Sequence, residues 1–270
     1  MLLQRIKVAI PLVGEEELEG LREVLYSGVY VSNKKVKEFE EKFSNYCETK
    51  YGAACNSGTA ALHVALAAYG VGPGDEVIVP DLTFFSTATS VLHQNAIPVF
   101  ADIDENTFTL DPDDFEKKIT ERTKAVIPVH YFGHPADMDR INEIAKRHNI
   151  IVIEDCAQAH GATYKGKKVG SLGNCGCFSF FATKNMTTGE GGMITTDDED
   201  IVILSQKIIN HGMSGRNTHE VLGYNYRMQE FSAAIGLPQL KKLDGFNKKR
   251  QKNSHALYEK IKDIDWIIIP

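Results

Sequence analysis

The chain has 270 residues, 43% of them hydrophobic, and a formal net charge of −6. That length can bury a full core and suits one large domain, or one domain plus a fragment. Charge is spread along the chain: no basic stripe points to nucleic acid, no run of like charges marks a tail, and no apolar stretch approaches membrane-spanning length.

The N-terminal stretch MLLQRIKVAIPLVGEEE is broken by Arg5, Lys7 and Pro11 and lacks a signal-peptide core. Five cysteines (47, 55, 156, 175 and 177) show no disulfide-rich spacing. Cys175-Gly-Cys177 is too tight for a zinc-ribbon pair and has no second pair. Small buried thiols in a reducing cytoplasm are the expectation.

Tyr51 to Cys55 reads as a strand, and a helix opens in the following NSGTAAL and runs to about Tyr69. GVGPG at Gly70 to Gly74 follows a helix and precedes a strand, the reverse of a dinucleotide loop, so it reads as a turn. Short buried strands are expected at Glu76 to Pro80, Ile97 to Ala101, Ala125 to Val129 and Ile150 to Glu154. Helices are expected at Thr83 to Gln94, Pro112 to Ile119 and Asp137 to His148, with Asp137 as N-cap. This is the βαβ rhythm of a mostly parallel α/β sheet covered on both faces. Cys177 to Phe181 and Gly192 to Thr196 read as further strands, followed by a helix at Asp198 to Asn210. Gln229 to Ile261 reads as helical, with Pro238 and Gly245 expected to interrupt or kink it. The final DIDWIIIP reads as the opening strand of another element, without a partner of its own. The expected division is a large cofactor-binding domain over 1–245. Residues 246–270 would start a smaller C-terminal domain that is largely absent.

Lys184 lies in FSFFATKNMTTGEGG, and Asp155 lies upstream in EDCAQ at the end of a buried strand. A lysine in a small, Gly-rich setting and an acid on a buried strand suit pyridoxal phosphate. The amine forms a Schiff base with the cofactor aldehyde, and the acid keeps the pyridine nitrogen protonated. A lone lysine is more often a solvated surface charge, and a lone strand-end acid is often in a salt bridge. Ser57, Gly58 and Thr59 fall at a helix N-terminus, which favours a phosphate. Alone, they read as an ordinary Ser/Thr cap; beside Lys184 and Asp155, phosphate binding is the better reading. Gln158 is a candidate donor to the cofactor's ring oxygen and Ser179 a further phosphate contact. Phe84 is a candidate for stacking on the ring, with Phe85 competing and plain core as the default. His130 and His134 are spaced like helical zinc ligands, but Tyr131-Phe-Gly133 and Pro135 make that segment a loop, so a metal is not expected. His160 and His211 default to ordinary hydrogen-bonded positions.

Taken together, these motifs resemble the DegT/DnrJ/EryC1/StrS family of sugar aminotransferases, of fold-type I among pyridoxal phosphate enzymes. The matching pieces are KEFEEKF, NSGTAAL, GDEVIVPDLTFFSTAT, PVFADID, PVHYFGHPADMD, IEDCAQAHGA, FSFFATKNMTTGEGG and GYNYRMQEFSAAIG. The resemblance implies that Lys184 is the Schiff-base lysine, Asp155 the pyridine-nitrogen partner and Gln158 the support of the ring oxygen. It implies phosphate-cradle roles for Ser57, Gly58, Thr59 and Ser179 and ring stacking for Phe84. Asn225 matches a residue that reaches the phosphate of the neighbouring subunit's cofactor, which implies a homodimer with shared sites. The implied reaction is amino transfer from glutamate to a nucleotide-linked keto sugar. A keto-cyclitol acceptor and a non-catalytic, regulatory pyridoxal phosphate binder are the alternatives. Dehydratases on the same scaffold carry histidine in place of the lysine, so Lys184 argues against that activity.

Overall fold

The computed structural model describes residues 9–266. Arg5 and Lys7, and 267–270 of the expected C-terminal strand, lie outside the described residues.

Two helices precede the sheet, α1 (Glu15–Ser27) and α2 (Lys34–Tyr46). Glu15, Glu16 and Glu17 fill the first turn of α1, where the dipole favours acids. Glu17 Oε2 accepts from the Gly14 amide at 2.8 Å. Gly28, at φ +68°, closes the helix in the left-handed region.

Then come β1 (Tyr51–Cys55), α3 (Gly58–Ala68), β2 (Glu76–Pro80), α4 (Ser86–His93), β3 (Ile97–Ala101), α5 (Pro112–Lys117) and β4 (Thr123–Val126). They are followed by α6 (Met138–His148), β5 (Ile151–Asp155), a small hairpin of β6 (Thr163–Tyr164) and β7 (Lys167–Lys168), β8 (Cys175–Ser179) and β9 (Gly192–Thr196). The chain continues through α7 (Glu199–Ile209), a second hairpin of β10 (Met213–Gly215) and β11 (Thr218–His219), and α8 (Glu230–Ile261). The Gly70 to Gly74 segment is the turn between α3 and β2, with Gly70 and Gly74, though not Gly72, at positive φ.

Seven strands form one sheet in the order β1-β9-β8-β5-β4-β2-β3. Strands β3, β2, β4, β5 and β8 are parallel neighbours, whereas β9 runs antiparallel to both β8 and β1. Six of the seven strands therefore share one direction. Helices cover both faces. α3 is apolar all round and eight of its residues are buried, as expected of a helix packed between the sheet and other helices. On the opposite face, Phe39 and Phe43 of α2 pack with Phe178 and Phe180. Asp137 caps α6 and Asp198 caps α7, each through its carboxylate.

Two readings of α8 and β8 are corrected. α8 runs unbroken from Glu230 to Ile261, so neither Pro238 nor Gly245 interrupts it. Pro238 lacks the N–H that would bond Ala234 O four residues back. That carbonyl instead faces Gly20 of α1, where an added Cβ would lie 2.8 Å from it. The first residue of α8, Glu230, has a second function: its buried carboxylate accepts the amides of Asn33, Lys35 and Val36, which caps α2 from outside. Strand β8 begins and ends two residues earlier than Cys177 to Phe181, so Ser179 is its last residue. Among the described residues, no helix is long and apolar enough to cross a membrane.

Candidate active site

The carboxyl ends of parallel strands gather the candidate residues, as open α/β sheets dictate. Strand β1 delivers Ser57 and Gly58, β5 delivers Asp155 as its last residue, and β8 delivers Ser179. Lys184 lies on the turn that leads from β8 back to β9, where Lys184 N bonds Phe181 O at 3.0 Å.

Ser57 is the N-cap of α3, and its side chain accepts from the Ala60 amide at 3.1 Å. A Cβ on Gly58 would meet the Ser179 Cβ at 2.6 Å, so the helix N-terminus and the end of β8 touch backbone to side chain. Only glycine permits that approach. Thr59 Oγ1 donates to Ser86 Oγ at 2.8 Å, which ties α3 to the first residue of α4. The result is a cradle of free helix N–H groups and hydroxyls, a setting that favours an oxyanion.

Asp155 is buried. Its Oδ2 accepts from Thr87 Oγ1 at 2.9 Å and its Oδ1 from the Ala157 amide at 3.1 Å. Burial raises its carboxyl above the ordinary range, opposed by the Ala157 and Thr87 hydrogen bonds and then by the charge of Lys184. Lys184 is half-buried; burial lowers its ammonium and Asp155 opposes that shift. The two groups therefore act on each other across the site. Gln158 Oε1 accepts from the Phe132 amide at 2.9 Å. Its carbonyl is thereby engaged and its two amide N–H donors are left for a ligand oxygen.

A cavity of about 500 Å³ has Gln158, Lys184, Asn185 and Phe132 on one side and Phe246, Lys249, Arg250 and Asn253 of α8 on the other. Phe84 and Phe85 do not line it. They precede α4, which starts at Ser86 rather than Thr83, and are 67% and 72% exposed. Asn225 is also outside: it is exposed and bridges to Asn210. The adjacent Tyr226 carbonyl accepts from Asn56 at 2.7 Å, so this segment runs beside the end of β1.

His130 precedes a single 3-10 turn, Tyr131–Gly133, so His130 and His134 do not share a helix face. His130 Nδ1 accepts from the Ala136 amide, and Nε2 bonds Glu154 Oε2 at 2.9 Å. Glu154 also accepts from the Gly170, Leu172 and Gly173 amides. His130, Glu154 and Cys156 lie close enough to share an ion. The carboxylate's acceptor positions, however, are already filled by these four donors.

His160 corrects the sequence reading. It is buried among Phe43, Phe178 and Phe180, and among the described residues neither ring nitrogen has a hydrogen-bond partner. Burial, then the charge of Lys184, lowers its pKa to about 3. Sequence reading also missed Thr87 and Asn247. Asn247 Oδ1 accepts from Asn185 Nδ2 at 3.0 Å, and its Nδ2 donates to His160 O at 2.8 Å. It thus ties the residue after Lys184 to the loop after Asp155. The Thr83 to Thr89 hydroxyl run in the sequence held the signal for Thr87; Asn247 left none.

A model of the DegT/DnrJ/EryC1/StrS aminotransferase family matches residues 11–270. The chain belongs to that family. It is 49% identical over 246 residues to the GDP-perosamine synthase of Caulobacter vibrioides, covering 90% of this chain and 66% of that one. A solved aminotransferase from Psychrobacter cryohalolentis superposes at a TM-score of 0.89 with 39% identity, covering 94% of this chain and 68% of that one. A GDP-4-keto-6-deoxymannose-3-dehydratase, solved with a trapped PLP–glutamate geminal diamine, superposes at a TM-score of 0.92 with 31% identity, covering 97% of this chain and 74% of that one. The chain spans about two thirds of the length of the curated relatives it matches. The fold is that of fold-type I, and the cofactor of the family is pyridoxal phosphate. The site suits that group: the Gly58–Ser179 approach leaves an oxyanion cradle, a buried carboxylate awaits a cationic partner, and the charge of a half-buried amine acts on it.

Proposed function

We propose that the chain transfers an amino group from glutamate to a keto sugar linked to a nucleotide. The observation that carries this reading is a half-buried Lys184 whose charge acts on buried Asp155, together with the close Gly58–Ser179 approach.

Bound here, pyridoxal phosphate supplies an electrophilic carbon and a ring that withdraws electrons from the carbon being deprotonated. Ser57, Gly58, Thr59 and Ser179 hold its phosphate through N–H groups and hydroxyls. The Asp155 carboxylate keeps a proton on the ring nitrogen, because burial leaves it in need of a positive partner. Thr87 and the Ala157 amide fix the carboxylate's orientation. Gln158 would donate to the ring oxygen; Phe84, the residue that the resemblance gives for ring stacking, stands exposed outside this cavity and would have to turn inward to cover the ring. Lys184 Nζ would hold the cofactor through its aldehyde carbon and, when free, would be the group placed to carry a proton to and from the substrate carbon. The depressed ammonium of Lys184 helps, since a proton carrier works best with a pKa near the working pH.

The same reading includes a homodimer in which Asn225 reaches the phosphate of the neighbouring site. It also includes a cytoplasmic location, supported by five buried free thiols. The division into 1–245 and 246–270 belongs to the proposal too, with α8 carrying the chain across it.

The test has two stages. Glutamate added to the purified, pyridoxal phosphate-loaded protein should convert the cofactor to its aminated form, seen as a change in its visible absorbance. A panel of nucleotide-linked keto sugars should then return it to the starting form. No change with glutamate would leave only a non-catalytic binder. Reversal by a keto-cyclitol but by none of the nucleotide sugars would move the acceptor class.

A further inference from the structure

Asn247 fixes where α8 passes the site, through its bonds to Asn185 and to the His160 carbonyl. Arg250 stands three residues further on, on the same face of the helix and about 4.5 Å along its axis. Lys249, Arg250 and Asn253 line the cavity that also holds Lys184.

The charge of that cavity is unlike that of the chain. The sequence carries 36 acidic and 30 basic residues. Yet the cavity wall has three cations, Lys184, Lys249 and Arg250, and no carboxylate among the described residues. The charge of Lys184 is opposed by that of Asp155. Neither Lys249 nor Arg250 forms an ion pair among the described residues. Burial alone lowers the Arg250 guanidinium, with no carboxylate opposing it, and its charge contributes to lowering that of His160. A cleft of one sign concentrates ligands of the other.

We infer that Lys249, Arg250 and Asn253 form the subsite for the diphosphate of the nucleotide-linked substrate, with the sugar lying between them and Lys184. This rests on the reading of the acceptor given above. Two unpaired cations match the two charges of a diphosphate diester, and a guanidinium presents a fork that fits phosphate oxygens. A glutamate donor brings a net single negative charge and needs less room. At about 500 Å³ the cavity is within the roughly 300–1,000 Å³ of sites that enclose drug-sized ligands.

The experiment is calorimetric titration of the pyridoxal phosphate-loaded protein with GDP and with UDP, for wild type, Arg250→Gln, Arg250→Lys and Lys249→Gln. Steady-state KM values for glutamate and for the nucleotide-linked keto sugar accompany it. All three side chains project from exposed positions on α8, and thermal melts check that each variant folds. Arg250→Gln should weaken binding of the better nucleoside diphosphate at least about tenfold, the loss of a charge-assisted contact. Arg250→Lys should recover part of it, Lys249→Gln should weaken binding less than Arg250→Gln, and the salt dependence should become shallower in both neutral variants. The keto-sugar KM should rise while the glutamate KM holds. Unchanged nucleoside diphosphate binding in both Arg250→Gln and Lys249→Gln would overturn the subsite. So would a raised glutamate KM with nucleotide binding intact, which would give the cations to the donor carboxylates. If no keto sugar is aminated yet nucleotide binding falls in the variants, the subsite stands and the amino-transfer reading fails.

Discussion

Lys184 and Asp155 balance each other's burial, and each can be tested alone. Borohydride reduction of the loaded protein, followed by peptide mapping, should place the pyridoxyl adduct on Lys184. Lys184→Ala should fold and lose turnover by several orders of magnitude, because nucleophile and proton carrier go together. An adduct on another lysine would sink the mechanism. Asp155→Asn keeps an acceptor for the Ala157 amide but cannot hold the ring nitrogen protonated, so turnover should fall far more than cofactor affinity. The cofactor-free form gives an independent reading. Asp155 has a carboxyl pKa raised by folding. The stability such a group contributes is present below the unfolded carboxyl range, about 3.9, and is lost as pH rises through the folded value. Cofactor-free Asp155→Asn should therefore gain stability relative to wild type as pH rises from 4 to 8, read from thermal melts. A difference that shrinks with rising pH would contradict the burial argument.

His160 gives the opposite slope. Its pKa falls on folding from the usual 6.5 to about 3. The unfolded chain therefore takes up a proton, and the native state does not, as pH drops through 6.5 towards 3. Wild-type stability should decline in that window, by an amount on the order of 5 kcal/mol at about 1.36 kcal/mol per unit. His160→Leu, similar in size and without ring nitrogens to leave unpaired, should make the acid limb of a urea-unfolding series against pH shallower. His63, lowered to about 4 by burial and by His93, keeps the limb from vanishing. A His160→Leu limb as steep as wild type would assign the slope elsewhere.

At the scale of elements, the strands were readable because each was a short apolar run bounded by turn residues. Tyr51–Cys55, Glu76–Pro80 and Gly192–Thr196 fall where burial put them; Ile97–Ala101 has the expected bounds but is an edge strand with Ile97 and Phe100 exposed, not the buried strand expected. The misjudged ends have local causes. Phe180 and Phe181 extended the apolar pattern of β8 past the point where the backbone turns towards Lys184. Pro238 looked like a break because propensity counts a lost hydrogen bond and a clash; the tertiary contact with Gly20 outweighs that. The approach is close enough to test. Gly20→Ala places a methyl 2.8 Å from the Ala234 carbonyl, a backbone atom that cannot swing aside. It should destabilise by about 1–3 kcal/mol in urea unfolding, the usual cost of overpacking. A neutral result would mean that α1 slides freely on α8. Gly58→Ala makes the corresponding demand on the cradle: its Cβ would press Ser179 away, and pyridoxal phosphate affinity, measured by fluorescence titration, should drop at least about tenfold.

For the whole molecule, what the sequence concealed is mostly long-range. That Gly58 touches Ser179, that Asn247 reaches Asn185, and that α8 presents cations to the Lys184 cavity all join residues far apart in the chain. Periodicity carries no information about such pairs, whereas the Lys184 and Asp155 motifs announce themselves locally. Assembly is testable at this scale. If Asn225 completes a neighbouring site, each two-fold dimer holds two shared sites, and pyridoxal phosphate should drive the dimer by mass action. Sedimentation with and without the cofactor measures this; a monomer holding it at full occupancy would remove Asn225 from the site.

The sheet order has a consequence for synthesis. Among the described strands, β1 has β9 as its sheet neighbour, and Tyr51 meets Thr196, 145 positions later. At about 5–20 residues per second, β1 leaves the ribosome roughly 7–30 s before its partner exists. Through that interval α3, apolar on every side, has no sheet to cover it. Chaperones should engage nascent chains that stop short of Gly192 and release those that extend beyond Thr196.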